Sequence, residues 1–132
     1  MARFYDIDSA NEKLKELRPL LESLREDRME LADVQRDFRE LLAADGLPET
    51  DAHIPEHEAR VREIVRRMER GVAQIDAWGI TLRDIRSGLV DFPALVSGRQ
   101  VWLCWRVDEP ELGWWHEVTT GFEGRRRLRD LA

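Results

Sequence analysis

Three residues in the last third of the chain carry side chains that ligate metals or move protons: Asp91, Cys104 and His116. A carboxylate, a thiolate and an imidazole are all good zinc ligands, and a Cys beside a His is the smallest nucleophile–base pair. None of the three belongs to a CxxC or HExxH arrangement. Only a fold that brings separate strands together makes a site of them. His53 and His57 lie four apart, but Pro55 between them places His53 ahead of a helix, and the pair reads as a solvated helix start. Around the three residues stand Trp102, Trp105, Trp114 and Trp115, four of the five Trp in the chain. The alternative to a reactive site is structural: Cys104 packs as a small hydrophobe and His116 makes a hydrogen bond at the core edge.

The elements that must position these residues change character along the chain. Residues 3–7 read as a short strand or extended arm. Ser9 with Glu12 forms a capping box that starts a long helix over 10–44. Its apolar residues Leu14, Leu17, Leu21, Leu24, Leu31, Phe38 and Leu42 step by threes and fours as a heptad seam, with Arg28 and Gln35 filling the two gaps. Pro19 removes one hydrogen bond and predicts a kink. A loop from Ala44 to Asp51 leads to a second helix near Pro55, with Val61, Ile64, Met68, Val72 and Ile75 as its seam and Gly71 allowing a close crossing. Two antiparallel helices form a hairpin. From Trp78 onward the period becomes two, with strands expected over 80–85, 89–96, 99–107 and 112–118. The fold class is therefore α+β, a long helical hairpin followed by a small antiparallel meander. It makes one domain over 1–132, divided into hairpin (9–77), sheet (78–121) and basic tail (122–132).

Turn chemistry sets the expected register. A two-residue turn at Ser97-Gly98 places Val96 opposite Arg99 and Asp91 opposite Cys104. A four-residue loop at 108–111 places Cys104 opposite Trp115 and Leu103 opposite His116. One face is then apolar: Val90, Phe92, Ala94, Val101, Leu103, Trp105, Val107, Leu112, Trp114, His116 and Val118. The other, with Asp91, Leu95, Trp102, Cys104, Arg106, Trp115 and Glu117, mixes aromatics and charges. In this register Cys104 and His116 fall on opposite faces, which argues against a shared metal or thiol site.

The chain has 132 residues, a formal net charge of −6 and a single Cys. The acidic balance argues against nucleic-acid binding, which needs clustered cations. The local exception, Arg125, Arg126, Arg127 and Arg129, reads as a solvated or ion-paired tail. One Cys excludes an internal disulfide and fits a reducing compartment. The start MARFYDID lacks the apolar core of a signal peptide, and no apolar run reaches the ~18 residues of a membrane span. A cytoplasmic location is expected.

Ala10-Asn11, Gly88-Leu89-Val90-Asp91-Phe92-Pro93, Gly98-Arg99, Leu103-Cys104-Trp105, Glu109, Trp115-His116 and Gly121-Phe122 with Gly124-Arg125 together resemble a prokaryotic domain-of-unknown-function family, number twenty-two-oh-three. The resemblance spans nearly the whole chain. It implies a helical hairpin with a small sheet and directs attention to Asp91, Cys104, Trp105, His116 and Arg125, without giving any of them a role. The expectation is a cytoplasmic interaction module, dimeric through its hairpin because the first helix outruns the second. Asp91, Trp102, Cys104, Arg106, Trp115, Glu117 and Arg125 would bind a protein or small-molecule partner, with no cofactor and no assigned catalytic residue. The rival is a metal- or thiol-dependent enzyme or sensor in which Asp91, Cys104 and His116 hold zinc.

Overall fold

The computed structural model describes residues 3–45 and 52–131. Two helices, α1 (Ile7–Asp45) and α2 (His53–Ala77), precede five strands: β1 (Thr81–Asp84), β2 (Leu89–Val96), β3 (Arg99–Arg106), β4 (Trp114–Glu117) and β5 (Arg126–Arg127). The strands form one sheet in the order β1-β2-β3-β4-β5, and every neighbouring pair is antiparallel. The fold is α+β, as the change of period predicts. The expected loop after residue 45 lies outside the described residues.

α1 begins at Ile7, two residues before the Ser9 start read from the sequence. Asp6 accepts from the Ser9 amide (2.7 Å) and its own amide donates to the Ser9 hydroxyl (3.0 Å). The reciprocal box therefore uses Asp6 and Ser9, not Ser9 and Glu12, and these hydrogen bonds hold the Asp6 carboxyl below its ordinary range. The helix stays continuous through Pro19. α2 starts at His53, so His53 is helical and does not precede the helix. His53 is exposed at that helix start, as expected, whereas His57 is half-buried with its ring stacked on Phe38 at 4.0 Å.

The core lies between the proximal half of the hairpin and one face of the sheet. Ala10, Leu14, Leu17, Leu21 and Leu24 of α1 are buried with Val90, Phe92, Val101, Leu103 and Trp105 of β2 and β3. The arm ahead of α1 is extended. It closes one end, with the Tyr5 amide donating to the Pro93 carbonyl (2.7 Å) and the Tyr5 ring edge-on to Phe92. Gly71 allows the close helix crossing, since a Cβ there would stand 2.9 Å from Leu24. Beyond Leu24, no described residue of α1 is fully buried.

The β2–β3 register is the expected one, from Val96 opposite Arg99 to Asp91 opposite Cys104. The β3–β4 register is not. Cys104 pairs with Trp114, Leu103 with Trp115 and Trp102 with His116, one residue away from the prediction. The cause is the connection between these strands, which is not a four-residue loop. It spans 107–113 and is pinned to α1. Arg18 donates to the carbonyls of Val107 (2.6 Å), Glu109 (3.1 Å) and Pro110 (3.1 Å), and the Asn11 side chain accepts from the Leu112 amide (2.9 Å). Glu109 folds back to accept from the Arg106 amide (2.7 Å), taking the place of a strand partner. Because side chains alternate, a one-residue slip turns β4 over. Trp115 enters the core at 4% exposure, and His116 moves to the opposite face. The basic tail is ordered: Arg126 and Arg127 pair with Trp115 and Trp114 as β5 while their side chains stay exposed, and Arg125 is ion-paired with Glu109, as expected of a solvated or ion-paired tail.

Gly88 and Gly98 separate two costs of replacing a turn glycine. Both have positive φ, but a Cβ at Gly88 would lie 2.6 Å from Val107, whereas Gly98 has nothing within 4 Å. Gly98→Ala is expected to cost about 1 kcal/mol from backbone strain alone, and Gly88→Ala about 2–4 kcal/mol, by chemical denaturation.

Candidate metal centre

The slip of β4 brings Asp91, Cys104 and His116 together. All three are buried, and one ligand atom from each lies within 4.8 Å of the others. They come from β2, β3 and β4 on the face turned away from the helices, and the predicted separation of Cys104 from His116 is thereby overturned. The His116 ring is held from both sides. Its Nδ1 stands 2.8 Å from the Glu117 carbonyl oxygen, and its Nε2 stands 3.0 Å from each oxygen of Asp91. A carbonyl oxygen only accepts, so Nδ1 carries a hydrogen. In the neutral ring, Nε2 then presents a lone pair to a carboxylate. Two acceptors at this distance repel unless a cation is shared between them, either a second proton on the ring or a metal ion. A ligating histidine that donates its other N–H to a backbone carbonyl is the usual arrangement at protein metal sites.

Arg83 supplies the charge next to this group. Its Nε donates to Asp91 Oδ2 at 2.8 Å, and its guanidinium lies over the Trp102 ring at 5.0 Å. A register irregularity between Leu82 and Asp84 re-aims the strand at this point. Asp91 thus spends one oxygen on Arg83 and keeps Oδ1 for the interior. Cys104 is fully buried, and burial pushes its thiol up to about 12, with the Asp91 charge adding to the effect. Burial thus keeps the thiol protonated, which disfavours it as a nucleophile.

The three residues line a pocket of about 270 Å³ together with Arg83, Leu89, Val118, Gly121 and Phe122. Phe122 is set in place by Arg125, whose guanidinium sits 4.8 Å from both the Phe122 and Trp114 rings. Arg125 in turn donates to both oxygens of Glu109 (2.7 and 2.9 Å) and reaches the Cys104 carbonyl (3.5 Å). The Glu109 that fixes the β3–β4 connection therefore also anchors the segment covering the site.

The other residues expected on a binding face separate. Trp102 is half-buried beneath Arg83. Arg106 pairs with Asp108 (2.9 Å). Trp115 belongs to the core, and Glu117, turned over with it, pairs with Arg99 (3.1 Å). Arg125 is mostly buried in its ion pair with Glu109. Arg83 was missed in the sequence. It sits at the register irregularity between Leu82 and Asp84, where alternation does not fix a face; the one available signal is that a buried carboxylate calls for a cation.

A family model matches residues 3–128. The chain belongs to the DUF2203 family. That family is described as an uncharacterized conserved protein, so membership covers nearly the whole chain and assigns no reaction. No curated protein and no solved structure matches the chain. No helix among the described residues is long and apolar enough to cross a membrane.

The state of Cys104 has a direct readout. With its pKa at about 12, the metal-free native thiol should react with iodoacetamide at pH 8 about a thousandfold more slowly than in denaturant. An unfolded thiol ionises near 9 while the folded one keeps its proton. Stability should therefore decline as the pH climbs from about 9 towards 12. Denaturation curves of Cys104→Ser should show a weaker alkaline slope.

Proposed function

We propose that Asp91, Cys104 and His116 bind a divalent transition metal, zinc being the best match, and that the DUF2203 fold serves as a metal-dependent enzyme or sensor. The observation that carries this reading is the His116 ring: Nδ1 committed to a backbone carbonyl, and Nε2 aimed at a carboxylate with a cysteine sulfur beside it. Tetrahedral zinc places its ligand atoms roughly 3.3–3.8 Å apart, as follows from bonds of about 2.0–2.3 Å. The 3.0 Å between Nε2 and Asp91 needs to open by only a few tenths of an ångström. Metal binding would also remove the thiol proton that burial otherwise retains. Three protein ligands with a pocket beside them fit the pattern of sites that keep a fourth position for water or substrate. A ligating thiolate fits a reducing, cytoplasmic setting.

The full-length protein, stripped with chelator and reloaded, should take up one zinc per chain and gain thermal stability. Cys104→Ser and His116→Ala should each weaken uptake by at least about tenfold. Variants that bind as tightly as the native protein, or a native protein that takes up no metal, would sink this reading.

A separate observation favours self-association through the hairpin. α1 beyond Leu24 buries no described residue fully, and Leu31, Val65, Met68 and Val72 line an open apolar groove. A second copy supplies the matching face, giving a four-helix arrangement. Light scattering at about 100 μM should report a dimer, and Met68→Glu should convert it to a monomer without loss of helix signal. A native monomer at that concentration would remove the dimer.

A further inference from the structure

We infer that the pocket beside Asp91, Cys104 and His116 takes a small carboxylate, held between the metal's open position and Arg83. This rests on the metal reading above. Charge is the first reason. The Asp91 carboxylate and the Cys104 thiolate cancel a divalent ion, and His116 ligates as a neutral ring. Arg83, 43% exposed, then leaves one positive charge at the mouth of the pocket, where an anion can meet it. The Glu109–Arg125 pair nearby is internally neutral and does not change this balance. One monoanion restores neutrality.

The shape of Arg83 is the second reason. Its Nε is spent on Asp91, and its guanidinium plane rests on Trp102, which fixes where its outer edge points. Among the described residues, neither Nη atom has a hydrogen-bond partner in the structure. A guanidinium anchored through Nε still presents N–H donors from its Nη atoms, and a carboxylate is a planar acceptor that matches them. Asp91 would thus bind the metal through Oδ1 and orient Arg83 through Oδ2, setting the two anion-attracting groups side by side.

The walls are the third reason. Leu89, Val118 and Phe122 give the pocket an apolar side, and its volume of about 270 Å³ confines the ligand to a small molecule. This favours a short-chain aliphatic acid over inorganic phosphate, which would bring excess negative charge and no apolar group.

The test uses the full chain loaded with Co²⁺ in place of zinc, with its visible absorption followed as propionate is added at constant ionic strength. A saturable spectral change at about millimolar propionate is expected. Arg83→Gln should weaken that response at least about tenfold while Co²⁺ uptake stays within about tenfold of native. Phosphate and chloride should act more weakly than propionate. Co²⁺ uptake with a spectrum indifferent to propionate would overturn the carboxylate site and leave the metal site standing. An equal response in Arg83→Gln, or a stronger response to phosphate, would do the same. Failure to take up Co²⁺ would overturn both.

Discussion

Arg18 reaches from the first helix to three carbonyls of the connection between β3 and β4, and much of the candidate site depends on that contact. Its guanidinium also lies over the Trp105 ring, at 4.9 Å, so the same residue ties helix, connection and sheet together. With Asn11 and Glu109, it holds a seven-residue stretch in a shape no tight hairpin has. That shape sets the pairing of β4 by one residue. The pairing decides that Trp115 fills the core and that His116 joins Asp91 and Cys104. A different connection would yield an equally apolar sheet with no cluster on its outer face.

Around this constraint the polar groups form two linked systems. In one, Asp91 is buried and satisfied by Arg83 and His116. In the other, Glu109 is satisfied by Arg125 and by the Arg106 amide. Burying carboxylates on a small sheet is expensive unless each finds its cation and its donors. Both do, and the second system holds Phe122 over the first. Aromatic rings serve as seats for the arginines more than as a binding surface: Trp102 under Arg83, Trp114 under Arg125 and Arg127, and Trp115 under Arg126. Of the Trp/charged face read from the sequence, Trp115 is in the core, while Trp102, Arg106 and Glu117 stay partly exposed in contacts within the chain.

The helical hairpin divides between two kinds of stabilisation. Its proximal half packs on the sheet through Leu14, Leu17, Leu21 and Leu24. Its distal half is held by α2, through Ile64 and through ion pairs from Arg67 to Asp27 (3.0 Å) and Glu30 (2.5 Å). Partly exposed pairs of this kind contribute little, about 0–1 kcal/mol each. The distal hairpin is therefore the least supported part of the described chain, and the part with most to gain from a second copy.

Periodicity alone was enough to place two helices before an antiparallel meander, because burial on one face imposes a period of 3.6 or of 2 whatever the partners are. Ser97-Gly98 likewise settled the β2–β3 register, since a two-residue turn leaves no freedom, and with it the pairing of Asp91 with Cys104. The start of α1 was misplaced because Asp6 competes with Ser9 for the same capping role, and both residue types suit it. β5 was missed because two exposed arginines carry no alternation, and only the tryptophans of β4 give them a strand to pair with. The candidate site itself was legible as a set of residue types and not as a place. Whether Cys104 meets His116 turns on the parity of a long connection, and parity there is decided by Arg18 and Asn11, roughly a hundred residues away in the chain. Local sequence carries no record of that contact. It exists only once the helix lies on the sheet.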